Sequence, residues 1–181
     1  MILNTDRLTL RLLEQTDYGA LTKILQDSEV MAAYEHAFSD GEVQTWLDRQ
    51  IARYQADGVG LWAVCLMQTG EVIGQCGLTM QDCFGRKVLE VGYLFQKAFW
   101  RRGFATEAAR ACRDYAFERL NASEVYSIIR DTNKASRSVA LRNGMSVCGE
   151  FVKHYYGVDM PHIVYRILRG EWESIRGTRD A

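Results

Sequence analysis

The chain has 181 residues, 48% hydrophobic and 25% charged, enough for one globular domain with a sizeable core. A net charge of −1 leaves no general electrostatic pull toward nucleic acid or an anionic membrane. No apolar run approaches the roughly 20 residues that cross a bilayer, and the start MILNTDRL lacks a basic segment followed by a hydrophobic signal core, so a cytoplasmic protein with neither nucleic-acid nor membrane partner is expected.

Arg7 to Leu13 alternates polar and apolar residues and predicts a half-buried strand. Thr16-Asp17 is expected to cap a helix running to about Gln26, and Ser39-Asp40-Gly41-Glu42 is a capping box opening a second helix to about Gln55. Gly60 to Met67 and Glu71 to Met80 read as strands joined at Thr69-Gly70, with Val88 to Phe95 as a fourth strand after an Asp82 to Lys87 turn.

From there the pattern becomes strand, helix, strand, helix: Phe104 to Leu120 is followed by the strand Glu124 to Arg130 and the helix Lys134 to Arg142, a βαβ unit. In its first helix Phe104, Ala108, Ala111, Cys112, Tyr115 and Ala116 form an apolar stripe. Two last strands, Val147 to Tyr156 and His162 to Leu168, flank the Gly157-Val158-Asp159 turn, beside which the sole proline, Pro161, loses little by lacking an N–H. Residues 170–181 are polar and glycine-containing and are expected to fray or lie on the surface.

The cysteines, Cys65, Cys76, Cys83, Cys112 and Cys148, are odd in number and scattered, and never form C-x-x-C, which argues against a zinc site or a disulfide frame. His36, His154 and His162 include no pair at i, i+4 spacing, so no bound metal is expected.

The most informative stretch is Phe95 to Ala109, FQKAFWRRGFATEAA, where an apolar strand runs through a basic, glycine-containing turn into an alanine-rich helix. A helix start with unpaired N–H groups and positive side chains is a ready site for a phosphate or pyrophosphate. A P-loop needs two glycines five apart followed by Lys and Ser/Thr, and a dinucleotide fingerprint needs several glycines; neither pattern occurs.

With its flanks, Trp100-Arg101-Arg102-Gly103-Phe104-Ala105-Thr106 resembles the acyl-CoA pyrophosphate loop of the Gcn5-related N-acetyltransferase (GNAT) superfamily, particularly its ribosomal-protein N-terminal acetyltransferase branch. The resemblance covers nearly the whole chain. Thr5 to Arg11 is similar to the first strand of that branch, Val72-Ile73-Gly74 and Glu90-Val91-Gly92-Tyr93 to its third and fourth strands, and Asn133 to Gly144 to its second cofactor segment. The implied fold is a single α/β (α+β) domain over residues 1–169, with a mixed, mostly antiparallel sheet of about seven strands, four flanking helices, and a splay between the fourth and fifth strands. The implied chemistry is direct attack of a neutral primary amine on acetyl-CoA, catalysed by a monomer or homodimer without a metal.

On this resemblance, backbone N–H groups from Arg101 to Thr106, aided by the charges of Arg101 and Arg102, hold the pyrophosphate, and Gly103 keeps a Cβ from the phosphate oxygens. Tyr93, Leu94 and Phe95 offer main-chain groups to the pantetheine amides as a neighbouring strand would, and Asn133 and Ser136 bond the cofactor from the far side, although Asn133 also suits a helix cap. Trp100 departs from the Gln or Arg of many members, without touching the main chain that does the binding.

For proton transfer, Glu90 is the candidate base, its alternative being a solvated strand face, with Glu150 and His154 in reserve. The tyrosine that many members use to protonate the leaving thiolate is replaced here by Ala140, and the duty passes to the Ser136 hydroxyl. Tyr34, Glu35, His36, Trp46, Tyr155 and Tyr156 are expected around the acceptor, with Glu35 attracting the amine. A protein N-terminal α-amine is the leading acceptor. A small amine such as an amino acid, polyamine or antibiotic, and a non-catalytic acyl-CoA-binding module, are the alternatives.

Overall fold

The computed structural model describes residues 1–155 and 157–178. Its centre is an eight-stranded sheet in the order β1-β2-β3-β4-β5-β6-β8-β7. The strands are β1 (Leu3–Asn4), β2 (Leu8–Arg11), β3 (Leu61–Leu66), β4 (Val72–Cys83), β5 (Arg86–Phe95), β6 (Glu124–Arg130), β7 (Ser146–Tyr155) and β8 (Val158–Leu168). Five helices surround it: α1 (Tyr18–Leu25), α2 (Asp40–Ala56), α3 (Phe104–Glu118), α4 (Lys134–Arg142) and α5 (Arg169–Gly177). Among the described residues no helix is long and apolar enough to cross a membrane, and no group of acidic, cysteine or histidine side chains could hold a metal ion.

Side chains on β3 alternate between two apolar layers, as the period of a strand requires. Leu61, Ala63 and Cys65 face one layer, with Leu21, Ile24 and Leu25 of α1 and Val43, Trp46 and Leu47 of α2. Trp62 and Val64 face the other, with Phe104, Ala108, Cys112, Ala116 and Phe117 of α3. Burial on both faces explains why β3, LWAVCL, is apolar throughout. Gly77 lets β3 and β4 approach: a Cβ there would stand 2.1 Å from the Gly60 carbonyl oxygen. The other four cysteines are buried free thiols and Cys148 is exposed.

Several boundaries differ from the sequence reading. The β4–β5 hairpin closes much tighter than the expected Asp82 to Lys87 turn, because Cys83 pairs with Arg86 around Phe84 and Gly85, both at positive φ. That two-residue geometry matches the twist of the flanking strands. Pro161 lies inside β8 rather than beside a turn; it follows the end of β6, whose last pair is Arg130 with His162, so no ladder bond to β6 is lost there. Tyr156, expected to end β7, lies outside the described residues.

The two ends of the chain bring the largest correction: β1 at the N-terminus adds an eighth strand and α5 at the C-terminus a fifth helix to the expected count. Residues 169–177 form a docked helix instead of a frayed tail, while 179–181 lie outside the described residues. Trp172 is only 5% exposed, stacks on Phe117 at 5.0 Å, and donates from Nε1 to Asp114 at 2.7 Å. One buried aromatic outweighs the polar average of the segment.

The splay is where expected. β5 and β6 run parallel and meet at a single aligned pair, Glu90 with Tyr126; next to it the Val91 carbonyl accepts from the Ser127 hydroxyl at 3.0 Å, and the strands then part.

Candidate active site

The turn before α3 is built from two left-handed residues, Arg101 at φ 59° and Gly103 at φ 82°, with Gly103 as the N-cap. The first ladder bond of the helix runs from Glu107 N to Gly103 O at 3.0 Å, which leaves the N–H groups of Phe104, Ala105 and Thr106 outside the ladder. They open onto a groove of about 1350 Å³ lined by Arg101, Gly103, Phe104, Ala105 and Thr106 on one side and Asn133 to Ser136 on the other. The partial positive charge of a helix start favours an anion there.

Arg102 plays a different part from the expected one. Its guanidinium lies over Phe99 at 5.5 Å and Phe104 at 5.1 Å, and it does not line the groove. Arg7 does line it, fixed over Phe104 at 4.5 Å and bonded to Glu107 Oε2 at 2.7 Å and to Arg102 O at 3.0 Å. Glu107 also accepts from the Thr5 hydroxyl. Burial opposes its ionisation, yet the bonds from Thr5 and Arg7 outweigh that and hold its pKa below the usual value. The β1–β2 connection thereby clamps the turn before α3, a role the sequence reading of Thr5 to Arg11 did not include.

The groove continues along the exposed edge of β5 past Phe95, Leu94 and Tyr93. The Phe95 carbonyl is occupied, accepting from Trp100 Nε1 at 3.0 Å. Asn133 caps α4, its Oδ1 accepting from Ser136 N at 3.1 Å, while its residue still lines the groove. The Tyr93 hydroxyl donates to Ser136 O at 2.9 Å, and burial raises its pKa. Ala140, in the position of the usual tyrosine, is 2% exposed and packs in the core instead of the groove.

Tyr93, Leu94, Asn133 and Ser136 also line a second cavity of about 330 Å³, so the two spaces join at these residues. Glu90 lies in its wall. Its Oε1 accepts from Ile128 N at 3.0 Å, bridging the splay between β5 and β6, and burial raises its pKa against the opposing pull of Lys153, the Ile128 amide and Arg53. Tyr34, Trp46 and Tyr155 line the cavity as expected, and burial pushes the Tyr34 hydroxyl up to about 12.

Other expected residues lie elsewhere. Glu35 is ion-paired with Arg130, and neither it nor His36 is in the cavity lining. His36 bonds Glu42 Oε1 at 2.9 Å; the Ser39 amide and His36 together hold the Glu42 carboxyl down at about 2. His154 pairs with Asp159 with its side chain 82% exposed, and Glu150 is exposed, so the two reserve bases point away from the cavity. Tyr156 lies outside the described residues.

The cavity wall also includes charged and titratable side chains that sequence reasoning missed: Arg49, Arg53, Arg130, Lys153 and His162. His162 Nδ1 lies 2.8 Å from Met160 O, so in the neutral ring Nδ1 carries the proton and Nε2 is an acceptor. Burial lowers its pKa, despite the Met160 bond, favouring that neutral form. The i, i+4 spacing of Arg49 and Arg53 was visible in the sequence, but which side of α2 would face a cavity was not.

The arrangement is a long groove that begins at a helix start suited to a diphosphate and ends at a small chamber containing a carboxyl and a neutral imidazole. The family model described as an acetyltransferase (GNAT) domain matches residues 7–146. YkkB, an uncharacterized protein of Bacillus subtilis, is 37% identical over 78% of this chain and 83% of its own. YdaF of the same organism, provisionally named a ribosomal N-acetyltransferase, is 30% identical over 93% of this chain and 95% of its own. The FsC-acetyl coenzyme A-N(2)-transacetylase of Aspergillus fumigatus is 31% identical over 94% of this chain and 77% of its own. A crystal structure of a GNAT-family acetyltransferase from Bacillus anthracis superposes with a TM-score of 0.80, covering 93% of this chain and 98% of that one at 23% identity, a likeness of fold.

Proposed function

Because the chain belongs to the GNAT acetyltransferase family and is an acetyl-CoA-dependent N-acetyltransferase, we propose that its acceptor is an α-amine at a protein N-terminus, as in the ribosomal-protein branch. The observation that carries this reading is the junction at Tyr93, Leu94, Asn133 and Ser136, where the groove opens into the chamber containing Glu90. A coenzyme whose diphosphate sits on the Arg101–Thr106 amides and whose pantetheine runs along β5 would deliver its thioester to this junction.

In this reading residues 1–169 form the catalytic domain, with the following segment docked on it. Glu90 takes a proton from the acceptor nitrogen through water, so that the neutral amine attacks the thioester, and Ser136 donates to the departing thiolate. The demand on the base is modest, since an α-amine has a pKa of about 8 against about 10.4 for a lysine side chain. Holding amine and thioester together lowers the barrier by up to about 7–11 kcal/mol.

A small-molecule acceptor is the second reading. The chamber of about 330 Å³ is at the low end for ligand pockets, and one relative at 31% identity is named for transfer to FsC. A thiol-release assay separates the two: peptides with free N-termini should release CoA faster than N-blocked peptides containing lysine and faster than free small amines. Release driven best by a small amine would replace the first reading with the second.

A further inference from the structure

The chamber is lined by three cations that the fold does not neutralise. Arg49 and Arg53 stand one turn apart on α2, a spacing at which like charges weaken a helix, and Lys153 enters from β7. Among the described residues no carboxylate is ion-paired with any of them. Their close partners are neutral: Arg49 lies over the Trp46 ring at 4.9 Å, Arg53 donates to Gln50 Oε1 at 3.1 Å, and Lys153 Nζ is 5.8 Å from the Phe151 ring.

Elsewhere the chain pairs arginines with acids, as in Arg7 with Glu107, Arg11 with Asp17, Arg86 with Glu124 and Arg176 with Glu118. The fourth cation of the chamber, Arg130, is likewise taken by Glu35. Among the described residues the only carboxyl in the wall is Glu90, whose Oε1 is occupied by Ile128 N and whose burial favours its neutral form. Burial and the charge of Arg49 disfavour the Arg53 cation more than Asp57, Glu90 and Tyr34 favour it, so the fold sustains this cluster at a cost. An anion brought by the acceptor would offset that cost.

We propose that the acceptor is a primary amine carrying a carboxylate close to the reacting nitrogen, with that carboxylate held by Arg49, Arg53 and Lys153. The inference rests on the acetyl-transfer reading above and narrows its acceptor class. The same cations disfavour an ammonium ion nearby, which releases the nitrogen lone pair. That lone pair forms the C–N bond, the C–S bond breaks with its electrons on sulfur, and the proton lost from nitrogen ends on the thiolate. A polyamine, positive throughout, is excluded by the sign of the field.

The test measures acetyl-CoA-dependent thiol release for matched acceptors: alanine against alaninamide, alanyl-aspartate against alanyl-asparagine, and spermidine. Each acid should exceed its amide by at least tenfold in kcat/KM, chiefly through KM, with the ratio shrinking as salt is raised. Preference for alanine over the acidic dipeptide identifies a free amino acid; the reverse identifies an acidic N-terminus. In Arg49→Gln, Arg53→Gln and Lys153→Gln the acid-to-amide ratio should fall toward one, and Arg53→Lys should restore part of it. The ratio is taken within each variant, so partial loss of folded protein does not alter it. A ratio at or below one in the wild type, or spermidine as the best acceptor, overturns the proposal. If no amine releases thiol, acetyl transfer itself fails, and the chamber is still judged by calorimetry on the CoA-loaded protein: N-acetylalanine should bind at least tenfold more tightly than its amide, and equal binding overturns the cation assignment.

Discussion

Replacing Gly103 with alanine separates backbone strain from ligand approach at the helix start. The residue sits at φ 82°, and an added Cβ would lie 3.3 Å from Arg7 Nη2, an end already tied to Glu107. A left-handed conformation costs an L-residue roughly 1–2 kcal/mol, which for a chain of this size lowers the melting temperature by roughly 2–8 °C. With the diphosphate placed as proposed, the Cβ also occupies space needed by phosphate oxygens, and losing one charge-assisted hydrogen bond costs about 1.5–3 kcal/mol, a tenfold to more than hundredfold rise in the CoA dissociation constant. Calorimetric titration with CoA and with pantetheine, which lacks the diphosphate, isolates that effect: only CoA should weaken. Gly103→Asn should recover much of the stability, because asparagine tolerates the left-handed region, while its Cβ keeps the affinity loss. Wild-type CoA affinity in the alanine variant, or equal losses for CoA and pantetheine, would refute the placement of the diphosphate.

Ser136→Ala should lower kcat with CoA affinity nearly unchanged; equal turnover rejects its hydroxyl as the proton donor to sulfur. Glu90→Gln should remove the ascending limb of the pH profile of kcat/KM, because a base must be ionised and burial raises the pH at which Glu90 ionises. The raised pKa also means that its contribution to stability is present at low pH and lost as pH rises through the folded value, so the glutamine variant should gain stability relative to wild type above that value, measured by urea melts at several pH values. Trp172→Ala removes the buried anchor of α5 and should cost about 3–5 kcal/mol in a urea melt; a loss below about 1 kcal/mol would mean that the helix is not docked as described.

Features encoded within a few residues were legible before any coordinates. The capping box of Ser39 and Glu42 forms as expected, with bonds in both directions. Asn133 caps α4, as its place before the helix suggested, by accepting from the Ser136 amide, and Gly103 adopts the left-handed conformation that its turn before a helix requires. These depend on local backbone geometry, which sequence spacing specifies directly. The splay between β5 and β6 and the order of strands around α3 came from the family likeness, carried by motifs spread along the chain.

Meetings between distant segments were not legible. Glu35 looked like an attractor for an amine until Arg130, far along the chain, proved to be its partner. Arg102 looked like a phosphate ligand until Phe99 and Phe104 took its guanidinium, and Arg7 came from β2's approach to stand at the groove instead. The sequence by itself determined where the helix start that suits a diphosphate would be, because unpaired amides, a glycine and a turn are neighbours in the chain. The charge inside the acceptor chamber was decided only by tertiary structure: α2 and β7 bring Arg49, Arg53 and Lys153 to one cavity, and whether a charge is neutralised depends on what packs beside it in space.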